Sequence, residues 1–172
     1  MTPDERAAER ARAAAFLDLE EGRGPVAVLD RAGLDELLTA ARTIVVVGAS
    51  DDPWRPSHGV FRELVEAGYR CLPVNPHVAS VAGVPAYPTL AAAAAALAAE
   101  GSGPIDIVDV FRRPELCPAH AREAVAVGAR ALWLQRGVVS WEAARVAAEG
   151  GLAVVMDRCT AVEVARLGIG RR

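Results

Sequence analysis

The sequence contains no lysine, so all nineteen of its Lys-plus-Arg residues are arginine. That absence excludes Schiff-base chemistry and a P-loop, whose lysine reaches the nucleotide phosphates. A field of one sign is missing as well. The formal net charge is −3 over 172 residues, which offers no broad attraction to nucleic acid or anionic lipid, so any basic site is local. Cysteine is scarce: Cys71, Cys117 and Cys159 are widely spaced, odd in number and without a C-x-x-C pair. This points away from a disulfide framework or zinc site and toward reduced thiols. No uninterrupted apolar run approaches the ~20 residues that crossing a bilayer requires, and the charged, alanine-rich N-terminus lacks the apolar core of a signal sequence. The expectation is a cytoplasmic protein with neither nucleic acid nor membrane as partner.

What the chain does hold is centred on residues 43–60, TIVVVGASDDPWRPSHGV. A β-branched apolar run meets Gly48, then a loop with Pro53 and Pro56, then an apolar-periodic helix for which Ser57 is the expected cap. Strand, glycine turn and helix N-terminus in succession are the parts of a phosphate-binding βα unit. A nucleotide-like ligand follows from them.

Before this unit, residues 4–21 favour helix on propensity, with Phe16 and Leu19 as a small apolar stripe, and Gly22, Gly24 and Pro25 stop it. Leu34, Leu37, Leu38 and Ala41 mark a second helix. Residues 1–40 are expected to form a helical arm on the outside of the main domain or against another subunit, without a catalytic role.

After it, strands are expected at 70–74, 105–110, 130–134 and 153–156, with 84–87 as an edge strand because Pro85 argues against a central place. Helices are expected after Thr89, around Cys117 as a core thiol, after Ser140, and from a capping box at Thr160 and Glu163 to Gly168. The alternation predicts an α/β domain over 41–170, Rossmann-like and doubly wound, with a mostly parallel sheet and helices on both faces. Ligands of such sheets bind outside the carboxyl ends of the strands. The residues immediately after strands include Ser50 and Arg55, Asn75 and His77, Arg112 and Arg113, Gln135 and Arg136, and Asp157 and Arg158. Five arginines at one sheet edge predict a ligand with several negative charges.

The dinucleotide fingerprint G-x-G-x-x-G and its ribose-binding acid are both missing, since the loop after the first strand has one glycine and the second strand ends in Val74-Asn75-Pro76. The segments Val47-Gly-Ala-Ser50, Arg55-Pro-Ser57, Pro73-Val-Asn-Pro76, Asp109-Val-Phe-Arg112, Leu132-Trp-Leu-Gln135 with Gly137-Val138, and Met156-Asp-Arg-Cys159 together resemble the small bacterial coenzyme A-binding proteins of the CoA-binding domain family. That family is similar to the N-terminal domain of the succinyl-CoA synthetase α subunit. The resemblance covers about residues 40–168 and leaves the arm outside. It implies that Gly48, Ala49 and Ser50, with Arg55 to Ser57, surround the CoA phosphates. It further implies that Val74, Asn75 and Pro76 contact the adenosine 3′-phosphate end, and that the loops of Phe111, Arg112, Gln135 and Arg136 flank the remaining nucleotide and pantetheine. His77 stands where many relatives have lysine, and a largely neutral imidazole is a poorer phosphate partner. The synthetase's phosphorylated histidine belongs to a later domain, so the resemblance implies only the module that holds the cofactor.

His58 and His120 have no second ligand one helical turn away, so no metal is expected. Asp109 and Asp157 end strands, where a carboxylate more often holds a turn or pairs with arginine than serves as half of an acid–base pair. Cys159, beside Arg158 at the start of the last helix, is either a small buried side chain in a tight turn or a partner for the CoA thiol in a mixed disulfide; the first reading is preferred. The resulting expectation is a protein that binds CoA or an acyl-CoA with no catalytic centre of its own, acting as carrier, sensor or partner-recruiting module. The alternatives are an NAD(P)-binding oxidoreductase-like protein and a structural subunit with a vestigial pocket. A homo-oligomer or a protein partner remains open at this level.

Overall fold

A computed structural model describes residues 1–170. In chain order the elements are α1 (Pro3–Glu20), α2 (Arg31–Ala40), β1 (Thr43–Val47), α3 (Pro56–Glu66), β2 (Arg70–Val74), the antiparallel pair β3 (Ser80–Val81) and β4 (Val84–Pro85), and α4 (Leu90–Ala99). There follow β5 (Ile107–Val110), a 3-10 turn (Pro114–Leu116) leading into α5 (Cys117–Ala126), β6 (Ala131–Leu134), α6 (Trp141–Glu149), β7 (Ala153–Val155) and α7 (Thr160–Leu167). Among the described residues, β2, β1, β5, β6 and β7 form in that order a five-stranded sheet whose neighbours are all parallel. This is the Rossmann-like, doubly wound arrangement expected from the alternation. No described helix is long and apolar enough to cross a membrane.

The strands are short apolar runs because both of their faces are covered. Alternate residues serve opposite layers. Val45, Leu72, Val108, Leu132 and Val154 pack with α4, α5 and α6, where alanines 121, 124, 143, 144 and 147 give a smooth, closely packed surface. Ile44, Val46, Ile107, Trp133 and Val155 pack with α2, α3 and α7 through Leu34, Leu38, Phe61, Leu64 and Val164.

Several local expectations change on folding. Residues 84–87 do not form one edge strand: Val84–Pro85 pairs with Ser80–Val81, and only Tyr87 bonds to the edge of β2, giving its N–H to Pro73 O and receiving that of Asn75. No capping box forms at the start of α7. Its N-cap is Cys159, the Thr160 hydroxyl points inward to Asp109, and the Glu163 carboxylate is taken by Arg31, Arg158 and Arg166. Burial opposes ionisation of Glu163, yet these three arginines hold its carboxyl below the usual range. At the opposite end of the sheet, Asp106 gathers the start of β1, accepting from the Arg42 and Thr43 backbone N–H groups at 2.8 and 3.0 Å.

The first forty residues divide. No residue of α1 is buried; its Ala15, Phe16 and Leu19 lie against the α4–α6 layer, and the Trp141 indole N–H donates to Ala15 O. The connecting stretch passes beneath Trp141 at Gly24, where a Cβ would fall 1.9 Å from the ring. Leu29 N–H then donates to Val154 O, covering the free edge of β7, an edge that would otherwise offer unpaired backbone groups to another chain. By contrast α2 is built into the second layer, with Leu34 and Leu38 each 1% exposed and the Tyr69 hydroxyl donating to Leu38 O. Replacing Leu38 with alanine is therefore expected to cost the whole domain about 2–5 kcal/mol; urea unfolding that shows a loss under about 0.5 kcal/mol, the range of ordinary surface changes, would place α2 outside the cooperative core.

Candidate functional site

The chain leaves β1 for β2 on one side, then returns past β1 to β5 on the other, so the switch point lies between β1 and β5. Register places Val47 opposite Val110, and Gly48 and Phe111 therefore leave the sheet side by side, with Phe111 N–H donating to Val47 O at 2.8 Å. Gly48 has φ +82°. A Cβ there would lie 2.5 Å from Phe111 O and 3.3 Å from Arg112 Nε, so both the backbone conformation and the contact require glycine. Arg112 Nε is buried over this turn, and among the described residues it is the one buried side-chain nitrogen or oxygen without a hydrogen-bond partner.

The loop from Gly48 to α3 is organised by its own short polar side chains. The Ser57 hydroxyl is not a helix cap: α3 has Arg55 at its N-cap with no side-chain cap bond, and Ser57 Oγ instead accepts the Ser50 N–H at 3.1 Å. Ser50 Oγ accepts the Asp52 N–H, and the Asp52 carboxylate accepts the Trp54 N–H. Asn75 ties this loop to the end of β2, donating to Ala49 O at 2.8 Å and accepting the His77 N–H at 2.9 Å. At the α3 N-terminus Pro56 has no N–H, and the Arg55 and His58 N–H groups donate to Asp52 O and Arg55 O, so the Ser57 N–H is the donor left at the cleft wall for an anion.

These loops bound an open cleft of about 970 Å³, of the size that accommodates a cofactor. Its wall contains Gly48, Ser50, Arg55, Ser57, Asn75, Phe111, Arg112, Gln135 and Arg136. Ala49 and Val74 lie instead in the packed layers beneath it, while Pro76 and His77 are exposed and outside the wall. Of the five arginines expected at this edge, Arg55, Arg112, Arg113 and Arg136 line the cleft; Arg158 does not, because Glu163 holds it at 3.1 Å. A fifth arginine is nevertheless present, Arg12 from α1. Nothing in the spacing of α1 distinguishes Arg12 from Arg6 or Arg10, so only the packing of α1 brings it here. Val60, Phe111, Val138 and Val162 supply the apolar part of the wall, and Cys159 stands among them.

Cys71 and Cys117 are buried, and burial pushes their thiols up to about 12 and about 11, which keeps them protonated. Asp157, at φ +56°, accepts the Gly137 N–H at 2.7 Å and holds the turn after β6. Asp109 holds no turn and meets no arginine: it is fully buried, receiving Gln135 Nε2 at 2.5 Å and the Thr160 hydroxyl at 2.8 Å. Gln135 Nε2 also donates to Thr160 Oγ1 at 3.0 Å. Both amide protons of Gln135 are thus turned inward, and its carbonyl oxygen is left for the cleft. Burial pushes the Asp109 carboxyl up to about 7 against the opposing effect of these two donors. Among the described residues no group of three His, Cys, Asp or Glu side chains is placed to hold a metal.

Comparison with known proteins bears on the family and the fold. The family described as CoA binding domain matches residues 42–165. The uncharacterized protein YneT of Bacillus subtilis (strain 168) is 41% identical over 132 residues, covering 77% of this chain and 92% of that one. A solved structure from Thermus thermophilus, cell-free ID.343, superposes with a TM-score of 0.70 at 39% identity over 81% of this chain and 99% of its own. A hypothetical protein from Pyrococcus horikoshii OT3 does so at 0.71 and 34% identity, over 81% and 92%.

The buried Asp109 has a measurable signature. The native carboxyl keeps its proton where the unfolded chain, at about pH 4, has already released it. Its contribution to stability is therefore full below about pH 4, falls as pH rises toward about 7, and is flat beyond. The unfolding free energy of the wild type relative to Asp109→Asn should accordingly decline by a few kcal/mol between about pH 4.5 and 7.5. A difference independent of pH in denaturant titrations would mean that Asp109 is ionised throughout.

Proposed function

The chain belongs to the CoA binding domain family, and from that premise we propose that it binds coenzyme A in the cleft at the β1/β5 switch point. The observation that carries this reading is the buried, unpartnered Arg112 Nε above Gly48. A buried donor left without an acceptor costs roughly 1–3 kcal/mol. A phosphate oxygen seated at the glycine turn removes that cost and gains a charge-assisted bond. Arg55 and the Ser57 N–H at the uncapped start of α3 approach the same turn from the other side, so a pyrophosphate is held between guanidiniums and that backbone donor. Arg113 and Arg136 extend the positive wall toward a further phosphate, and the apolar stretch of Val60, Phe111, Val138 and Val162 suits the less polar pantetheine.

Ser50, Ser57 and Asn75 act mainly on the loop, since their side chains are engaged in the bonds that shape it. They set the backbone that the phosphates meet, which lowers the ordering cost of binding. The role proposed for the chain is to hold the cofactor, in the manner of a succinyl-CoA synthetase-like domain, as carrier, sensor or recruiting module in the cytoplasm. An NAD(P) reading is disfavoured at the end of β2, where the residue in position for the ribose diol is Asn75, already committed to Ala49 O and His77 N–H.

Isothermal titration with CoA, acetyl-CoA, ADP and NAD is expected to rank CoA or its acetyl ester well above ADP and NAD. Arg112→Ala should weaken CoA by about 1–3 kcal/mol. No heat from any of the four would leave the cleft without a nucleotide ligand. Equal affinity in Arg112→Ala would show that the phosphates lie elsewhere.

A further inference from the structure

Resting on the CoA reading above, we propose that α1 is an arm locked by the ligand: Arg12 contacts a phosphate of the bound cofactor, and that contact fastens α1 to the domain. The family match begins at residue 42, so the contact comes from a part of the chain that the family pattern does not include. Three observations lead to it.

The first is position. Arg12 reaches from α1 into the wall of the cleft, where its Nη2 donates to Gly137 O at 3.3 Å, one residue from Arg136. That single long bond is its hydrogen bond among the described residues, and it uses one of five donors. Elsewhere in α1 and the turn after it the arginine bonds are local: Arg6 donates to Met1 O, and Arg23 meets Asp18 and Glu21, while Arg31 at the start of α2 meets Glu163, away from the cleft wall. Arg12 is thus poised with donors to spare at a site that otherwise holds Arg55, Arg112, Arg113 and Arg136.

The second is charge. Docking α1 brings a fifth guanidinium into a wall that already carries four, with Glu115 as the acidic residue among them. Like charges brought together in an empty cleft disfavour the docked arm, and a polyanion placed between them reverses the sign of that term.

The third is the weakness of the remaining attachment. No residue of α1 is buried, and the helix rests on the patch of Ala15, Phe16 and Leu19 beside Trp141, with one bond from the indole N–H to Ala15 O. Elements held by so little apolar contact are drawn from the low end of local stability. Coupling between ligand and arm is reciprocal, so whatever the arm adds to affinity, the ligand adds to arm docking. Bound and free forms would then differ in how firmly α1 is held, which suits a protein that reports on its cofactor.

The test uses the full chain. CoA affinity is measured by titration for the wild type, Arg12→Ala, Arg12→Lys and, as a control on the same helix, Arg10→Ala; amide hydrogen exchange across α1 is followed with and without CoA. Arg12→Ala should bind CoA about tenfold or more weakly, with a shallower dependence on salt, Arg12→Lys should recover part of the loss, and Arg10→Ala should match the wild type. CoA should slow exchange of α1 in the wild type and fail to do so in Arg12→Ala. Wild-type affinity in Arg12→Ala together with α1 exchange indifferent to CoA overturns the proposal while leaving the CoA reading intact. Absence of CoA binding by the wild type overturns both.

Discussion

The approach of two turns at the top of the sheet is the contact on which the rest of the site depends. Gly48 and Phe111 leave β1 and β5 at the same level because the register pairs Val47 with Val110, and the Phe111 carbonyl occupies the place of a Gly48 side chain. A residue with a Cβ would push the β5 loop outward and carry Arg112 with it. With glycine there, the two loops close to van der Waals contact and the Arg112 guanidinium is drawn over the turn. A buried donor without an acceptor results. The fold tolerates it because the surrounding layers determine the positions of both strands independently of that one bond.

Below the cleft, one buried network transmits this arrangement across the sheet. Asp109 on β5, Gln135 after β6 and Thr160 at the start of α7 are mutually bonded, so the ends of two strands and the first turn of the last helix are held in a common geometry. The network is satisfied internally, which is the condition under which buried polar groups specify a structure rather than destabilise it. It also determines what the cleft sees: the amide protons of Gln135 point inward, and the α7 N-terminus is positioned without a side-chain cap. Loop residues 50–57 follow the same economy. The Ser50 and Ser57 hydroxyls and the Asp52 carboxylate satisfy nearby backbone N–H groups, leaving the guanidiniums and the Ser57 N–H for a ligand.

The N-terminal forty residues serve this centre in two ways. Residues 26–29 and α2 complete the layers, covering the β7 edge and placing Leu34 and Leu38 in the core. α1 adds little to that core but delivers a guanidinium to the cleft. Because apolar burial decides folding and charge decides recognition, one contiguous segment contributes to each through different helices.

The α/β alternation, the parallel sheet, the strand-end location of the polar residues and most of the arginine cluster were legible in the sequence alone. Each is written in patterns of five to fifteen residues: β-branched runs for strands, helical spacing for the layers, and glycine or proline between them. Partner choice was not legible in that way. Ser57 and Thr160 stand where local rules expect helix caps, yet their hydroxyls serve Ser50 and Asp109; Arg158 stands at a strand end but turns to Glu163, while Arg12 from α1 joins the cleft wall. Asp109 looks like any strand-end carboxylate until packing removes it from water. A hydroxyl, a guanidinium or a carboxylate can satisfy several partners equally well, so its choice depends on which groups the packed layers bring within reach, and that is decided only when segments distant in sequence come together.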